Sequence, residues 1–194
     1  MSLFHSDAFL AFRSRDFSLL SVNQLCLILA IMIQEVVIAY SVYQLTQNPL
    51  SLGMIALIEL LPFICLSLIS GDWADRYNRQ KIVQWSFSCS TLIPLLFIVL
   101  FSQYQQQHIQ QNTLLCGIYS LIFCLGILRG IYSPSFNSLR PFLTPESAYS
   151  NAATWTALIW QIGGILAPLC AGLLLGQLGL EKTLFIVFFL CCVG

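Results

Sequence analysis

Long apolar segments alternate with short polar connections along the chain. A helix needs about 20 apolar residues to cross roughly 30 Å of lipid hydrocarbon, and five segments reach that length. They cover residues 19–42, 50–70, 82–101, 113–139 and 151–176. A sixth covers residues 183–194, and its 12 residues would rise only about 18 Å as a helix. The pattern predicts an all-α membrane protein with a short N-terminal segment, residues 1–18, five complete spans and an incomplete sixth.

The composition agrees with a membrane protein. Only 8% of the residues are charged, 58% are hydrophobic and the formal net charge is zero. A soluble domain carries about 25% charged residues, so these few charges exclude a water-soluble globular fold. High apolarity with no net charge also excludes a disordered chain. No basic excess is available for binding nucleic acid.

Basic residues are unequally divided between the two sets of connections. Six of them precede span one or lie between spans two and three or between spans four and five: Arg13, Arg15, Arg76, Arg79, Lys81 and Arg140. The opposite connections carry only Lys182. Cytoplasmic loops of membrane proteins are enriched in Lys and Arg. We therefore predict a cytoplasmic N-terminus and external loops around residues 46–49 and 103–112.

The connection after span two carries the strongest motif, GDWADRYNRQK over residues 71–81. It resembles the signature G-x-x-x-D-R-x-G-R-x-[RK] that the major facilitator superfamily has between its second and third spans. The residues that match are Gly71, Asp75, Arg76, Arg79 and Lys81. Asn78 stands where glycine is usual, and because asparagine tolerates positive φ we expect it to form the same turn. Without the resemblance, this segment would be an ordinary basic cytoplasmic loop.

The resemblance implies that this loop is a conformational latch. In the family, the aspartate at the position of Asp75 contacts a helix of the second half and holds one conformation. A carboxylate at a helix N-terminus is stabilised by up to about 1–2 kcal/mol, which fits such a contact. The basic residues Arg76, Arg79 and Lys81 would hold the loop at the anionic inner leaflet.

Span five carries a second motif, GGILAPLCAG over residues 163–172. It resembles the motif G-x8-G-x3-G-P-x2-G-G of the superfamily's exporters. Gly163, Pro168 and Gly172 match, while alanine replaces two of the glycines and Thr154 replaces the first. Small residues let helix backbones approach closely, and proline kinks a span. The resemblance implies export, and the alternative is ordinary packing of small residues between helices.

Three ionisable residues lie within the predicted spans: Glu35 in span one, Glu59 in span two and Arg129 in span four. A charge inside a membrane costs a few kcal/mol, so such residues face protein or water and are functional by default. Counted from the span centres, Glu35 lies roughly 7 Å and Glu59 about 1–2 Å outside the midplane. We therefore expect both glutamates to line one cavity as proton-coupling or substrate-binding groups, with Glu59 the first candidate, Glu35 the second and Arg129 a further candidate in the same cavity.

Other roles for these three residues stay open from sequence. Each carboxylate could make a structural hydrogen bond to a neighbouring helix, or pair with Arg129. Arg129 could instead extend to the inner interface. Together with the glycine that follows it, Arg129 also resembles a third signature of the superfamily.

The resemblance extends over nearly the whole chain. The run YQLTQNPLSLG over residues 43–53, followed by Leu61 and Pro62, looks like the bacterial branch that contains enterobactin-type and macrolide-type exporters. It implies a twelve-helix transporter of two six-helix halves that alternate around a midplane site. This chain would be the N-terminal half, with its sixth helix truncated.

The function so implied is proton-coupled export of small amphipathic molecules, of the drug or siderophore type, through the bacterial inner membrane. Its partners would be membrane lipid, the small-molecule substrate, the proton and the missing C-terminal half. The alternatives are a non-transporting remnant of a truncated gene and a half-bundle that pairs with another chain. Nucleotide-binding, serine-hydrolase and zinc-protease motifs are absent, and His5 and His108 lie outside the spans. We therefore expect no enzymatic activity, cofactor or metal.

Overall fold

A computed structural model of the chain describes residues 15–76, 78–143 and 149–193, which form six α-helices and no strand. The helices are α1 Arg15–Thr46, α2 Leu50–Arg76, α3 Arg79–Gln105, α4 Gln111–Leu143, α5 Tyr149–Leu178 and α6 Leu180–Val193. Five contain an apolar stretch long enough to cross a membrane. The sixth has 14 residues, which amounts to about 21 Å. The predicted all-α membrane architecture is confirmed.

Three of the five apolar stretches extend a few residues beyond the predicted spans at both ends, the second coincides with its predicted span, and the fourth begins earlier and ends earlier. The five stretches are Phe17–Thr46, Leu50–Ser70, Gln80–Gln105, Gln111–Pro134 and Ser150–Leu178. The helices continue into the polar residues at the ends of the spans. Lipid offers no hydrogen-bond partners to the backbone, whereas a helix pairs the backbone N–H and C=O groups internally.

The packed core lies near the end of the bundle where α1 turns into α2. Its fully buried members include Val37, Val42, Phe97, Leu114 and Leu184. These residues come from the later parts of α1 and α3 and the early parts of α4 and α6. Hydrogen bonds strengthen this end, since Gln111 Nε2 donates to the backbone oxygen of Leu45 at 2.6 Å. The opposite half of the bundle contains a cavity.

Small residues decide which helices pack together. On α4, a Cβ at Gly126 would overlap the backbone oxygen of Glu59, and one at Gly130 would lie 2.9 Å from Leu66 Cβ. On α5, a Cβ at Gly163 would overlap the Cγ2 methyl of Ile28 on α1. Lipid supplies no hydrophobic driving force between helices, so close packing at small residues takes that role. Close contacts at small residues thus join α2 with α4 and α1 with α5, and α3 also packs extensively on α4.

The turn expected at Asn78 is not found, and this prediction was wrong. Asn78 has φ −66° and ψ 106° and is the N-cap of α3. Its Oδ1 accepts hydrogen bonds from the backbone nitrogens of Gln80 at 3.0 Å and Lys81 at 3.4 Å. Asparagine is one of the best N-cap residues, and this competing local role fixes its backbone in the extended region.

Candidate functional site

The three ionisable residues predicted within the spans meet in one cluster. Arg129 Nη1 donates a hydrogen bond to Glu59 Oε1 and lies 2.7 Å from Glu35 Oε1. The cluster joins α1, α2 and α4 in the middle of the bundle. Among the alternatives from sequence, pairing of the carboxylates with Arg129 is therefore the arrangement found, and it involves both glutamates. We refer to Glu35, Glu59 and Arg129 as the charge cluster.

The two glutamates of the charge cluster are not equivalent. The Glu59 side chain is 16% exposed and holds the hydrogen bond from Arg129. The Glu35 side chain is 41% exposed. Its Oε1 atom forms an ion pair with Arg129 at 2.7 Å but accepts no aligned hydrogen bond among the described residues. Arg129 therefore pairs with both glutamates, with the aligned hydrogen bond going to Glu59.

The packing of α4 on α2 explains the tight pairing with Glu59. Gly126 brings α4 against the turn of α2 that contains Glu59 and Pro62, the latter 2.7 Å from a Cβ built at Gly126. Proline has no backbone N–H and disturbs the helix turn before it. One turn along, Ser70 Oγ donates to the backbone oxygen of Gly130 at 2.6 Å. Arg129 lies between these two glycine contacts, and its guanidinium reaches Glu59.

The charge cluster forms part of the wall of a cavity of about 480 Å³. The other walls are largely aliphatic and aromatic, with Phe63, Phe87, Tyr132 and Trp160 among them. The rings of Phe87 and Tyr132 pack with centroids 4.8 Å apart. A mostly apolar cavity with a few convergent polar groups is the usual form of a small-molecule site.

Gln24 adds a polar group to the same cavity. It lies on α1 and is 4% exposed, and its Nε2 atom has no hydrogen-bond partner in the described part of the chain. Glu35 follows 11 residues later, about 16 Å along the helix. Three helical turns separate the two residues, which places them on one face of α1. The cavity therefore has polar groups at two depths.

The exporter-like residues of α5 have different surroundings. Gly163 packs closely on Ile28, as close helix approach requires. Pro168 lies inside α5, and a Cβ at Gly172 would meet nothing within 4 Å. Among the described residues, Gly163 has a tight helix contact, whereas none is found at Gly172.

The loop motif is described in part. Gly71, Asp75 and Arg76 belong to the last turns of α2 and Arg79 begins α3, but their side chains lie outside the described residues. Lys81 is exposed in the first turn of α3. The latch role of this loop stays a prediction.

Sequence reasoning missed several residues of this site. Gly126 and Gly130 have the spacing of a small-x-x-x-small helix contact, which was a signal for the α2–α4 packing. Gln24, Phe87 and Trp160 had no comparable signal, because polar and aromatic residues within a span do not reveal the direction they face.

Comparison with known proteins identifies the family of this chain. The family model described as Major Facilitator Superfamily matches residues 20–194, nearly the entire chain. The chain belongs to the Major Facilitator Superfamily. The match confirms the superfamily resemblance that the loop motif indicated. This family consists of transporters rather than enzymes.

Individual relatives are distant. The chain is 26% identical over 136 residues to the uncharacterized MFS-type transporter YkuC of Bacillus subtilis (strain 168), covering 68% of this chain and 29% of that protein. It is 26% identical over 128 residues to the Staphyloferrin A transporter of Staphylococcus aureus (strain NCTC 8325 / PS 47), covering 66% and 31%. No solved structure matches. The chain spans about a third of the length of the curated relatives it matches.

Proposed function

We propose that this chain is the N-terminal part of a proton-coupled secondary transporter that exports small amphipathic molecules. The observation that carries the proposal is the charge cluster in the cavity wall. Proton coupling requires a group in the transport path that gains and loses a proton, and intramembrane carboxylates perform this task in many transporters.

Charge counting shows how the cluster would bind one proton. Arginine stays protonated in proteins, so the cluster carries one positive charge and, with both glutamates ionised, a net charge of −1. Low dielectric disfavours an uncompensated charge. One proton on either glutamate makes the cluster neutral, so binding and release of a single proton switches it between two states.

The geometry favours Glu35 as the site of this proton. Glu59 holds the hydrogen bond from Arg129, whereas Glu35 lacks one and is more exposed to the cavity. The proposal therefore reverses the order expected from sequence, which placed Glu59 first. The reason is the α2–α4 packing, which the hydrophobic pattern does not contain.

The cavity supports an amphipathic substrate. Its aromatic and aliphatic walls would bind an apolar body, and Gln24 and the charge cluster would bind polar groups. One relative of this chain is named a Staphyloferrin A transporter, which agrees with a substrate of siderophore type. Export rests on the exporter-like motif of α5.

The exposed apolar faces of α2 and α5 support the proposal that another part of the complete protein packs against this chain. Only 6% of the membrane stretch of α2 is buried within this chain, and Leu68 on it is 80% exposed. On α5, Ile165 is 71% exposed. We propose that the second half of the transporter, or lipid, covers these faces.

The test of proton coupling uses Glu35→Gln and Glu59→Gln in the complete transporter. Each substitution leaves one ionised glutamate paired with Arg129. This pair is already neutral, so binding a proton would give it an uncompensated positive charge. We expect efflux of the fluorescent dye Hoechst 33342 from everted vesicles to lose its dependence on the pH gradient in both variants. Glu181→Gln, in the first turn of α6, is the matched control and should behave as the parent does. Unchanged pH dependence in both cluster variants would show that these carboxylates are structural.

The proposed orientation places the N-terminus in the cytoplasm of a bacterial cell. Gln47, Gln80 and Gln106 are all exposed in the connections or at helix starts. With the native cysteines replaced, we expect single cysteines at Gln47 and Gln106 to react with an impermeant thiol reagent in intact cells. A cysteine at Gln80 should react only after the membrane is opened. The opposite labelling pattern would invert the topology.

A further inference from the structure

Gly126 on α4 contacts the backbone of Glu59 on α2, the residue that accepts the hydrogen bond from Arg129. A Cβ at Gly126 would overlap Glu59 O and would lie 3.1 Å from the Glu59 carbonyl carbon. These neighbours are backbone atoms of a helix, so they do not yield as the end of a flexible side chain does. The separation of α4 from α2 at the level of Glu59 is therefore set by the absence of a side chain at Gly126.

Glu35 does not depend on the same contact. It lies on α1, which packs chiefly on α5 and α6 and touches α4 only slightly. Its approach to Arg129 crosses the cavity rather than a helix interface. Displacing α4 from α2 would lengthen the distance from Arg129 to Glu59, while the long arginine side chain keeps its reach toward Glu35.

We propose that Gly126 is a positioning residue that decides which of the two glutamates carries the exchangeable proton. With glycine, Arg129 is held on Glu59, and Glu35 is left to bind the proton. With alanine, Arg129 moves to Glu35, and Glu59 becomes the proton-binding group. This inference rests on the proposed function, since it assigns the proton within the same charge cluster.

The groups that surround Glu35 are few. Among the described residues, the titratable or charged side chains that face it are Arg129 and Tyr132 on α4, Glu59 on α2 and Cys191 on α6. Arg129 is the only cation in that set. Its choice of partner therefore decides the charge balance between the two glutamates.

The experiment follows each glutamate by its own signal. The 194-residue chain has four glutamates, and in lipid nanodiscs their side-chain carboxyl groups can be labelled with carbon-13 and titrated by NMR. Each resonance is assigned by its disappearance when that glutamate is replaced by glutamine. In the parent chain we expect the Glu35 resonance to titrate and the Glu59 resonance to stay nearly constant. In Gly126→Ala we expect the reverse.

Gly117→Ala is the matched control on the same helix. The atoms nearest to its Cβ would be the two side-chain methyls of Leu100, at 3.0 Å, which can move. We expect this variant to titrate as the parent does. If Gly126→Ala fails to fold, Gly130→Ala applies a milder displacement to the same interface and should make both resonances titrate in part.

The outcomes separate this inference from the proposed function. Titration of Glu35 alone, in the parent and in whichever of Gly126→Ala and Gly130→Ala folds, would overturn the role of Gly126 and leave proton binding intact. Titration of Glu59 in the parent would overturn both the role of Gly126 and the order of the two glutamates. Constant resonances of both glutamates in every chain would overturn proton coupling, and the positioning role with it.

Discussion

Replacement of Arg129 by methionine is expected to destabilise the chain, by less than the roughly 3–5 kcal/mol lost when one partner of a fully buried ion pair is removed, because the Arg129 and Glu35 side chains are 24% and 41% exposed. Methionine fills a similar volume but leaves Glu35 and Glu59 as two neighbouring like charges with no cation among the described groups around them. The loss is expected to shrink at acidic pH, because protons then neutralise both carboxylates. Thermal unfolding in detergent micelles over a range of pH measures both effects.

A triple variant separates the missing charge from the missing contacts. Arg129→Met combined with Glu35→Gln and Glu59→Gln has no uncompensated charge, and replacing an ion cluster with neutral groups of similar volume is often nearly neutral for stability. We expect its thermal stability to return close to that of the parent, without proton binding. If the triple variant were as unstable as Arg129→Met alone, packing of the arginine stem rather than its charge would be the cause.

Gly163→Ala is expected to destabilise the chain by about 1–3 kcal/mol, the usual effect of adding a methyl group to a well-packed contact. The new Cβ would overlap the Cγ2 methyl of Ile28, which is attached directly to the Cβ of a buried, branched side chain and cannot rotate away freely. Thermal unfolding in the same micelles measures the change.

The neighbouring glycine supplies the control. A Cβ at Gly164 would meet nothing within 4 Å, so Gly164→Ala should leave the midpoint of unfolding unchanged. In an Ile28→Ala background the clash is removed, and Gly163→Ala should then have little further effect. Equal destabilisation by Gly163→Ala in both backgrounds would show that contact with Ile28 is not the reason.

Local patterns in the sequence predicted much of the site. Glu35 and Glu59 were expected at similar depth because rise per residue fixes depth once the spans are known. Pairing of a carboxylate with Arg129 was one of the alternatives left open, because an unpaired charge in a membrane is costly. The loop motif predicted the superfamily, since the order of its charged residues after the second span is specific.

Competition between local interactions decided other features. Asn78 was expected to replace a glycine at positive φ, but its side chain caps α3 instead. Asparagine suits both a turn at positive φ and a helix N-cap. Because α3 begins directly after Asn78, the N-cap is the conformation found. Gly163 and Gly172 belong to one motif, yet only Gly163 contacts another described helix closely. The spacing of small residues does not tell which of them has a neighbour.

The sequence by itself determined the all-α membrane class, the approximate spans and the three charged residues inside them, because membrane thickness and the cost of buried charge act on each segment separately. Tertiary structure alone decided that Arg129 pairs with both glutamates and donates its aligned hydrogen bond to Glu59. It also placed Gln24, Phe87 and Trp160 at the same cavity. Those features depend on how far apart the helices pack and how each is rotated, which are set by contacts such as Gly126 on Glu59 between segments distant in the chain.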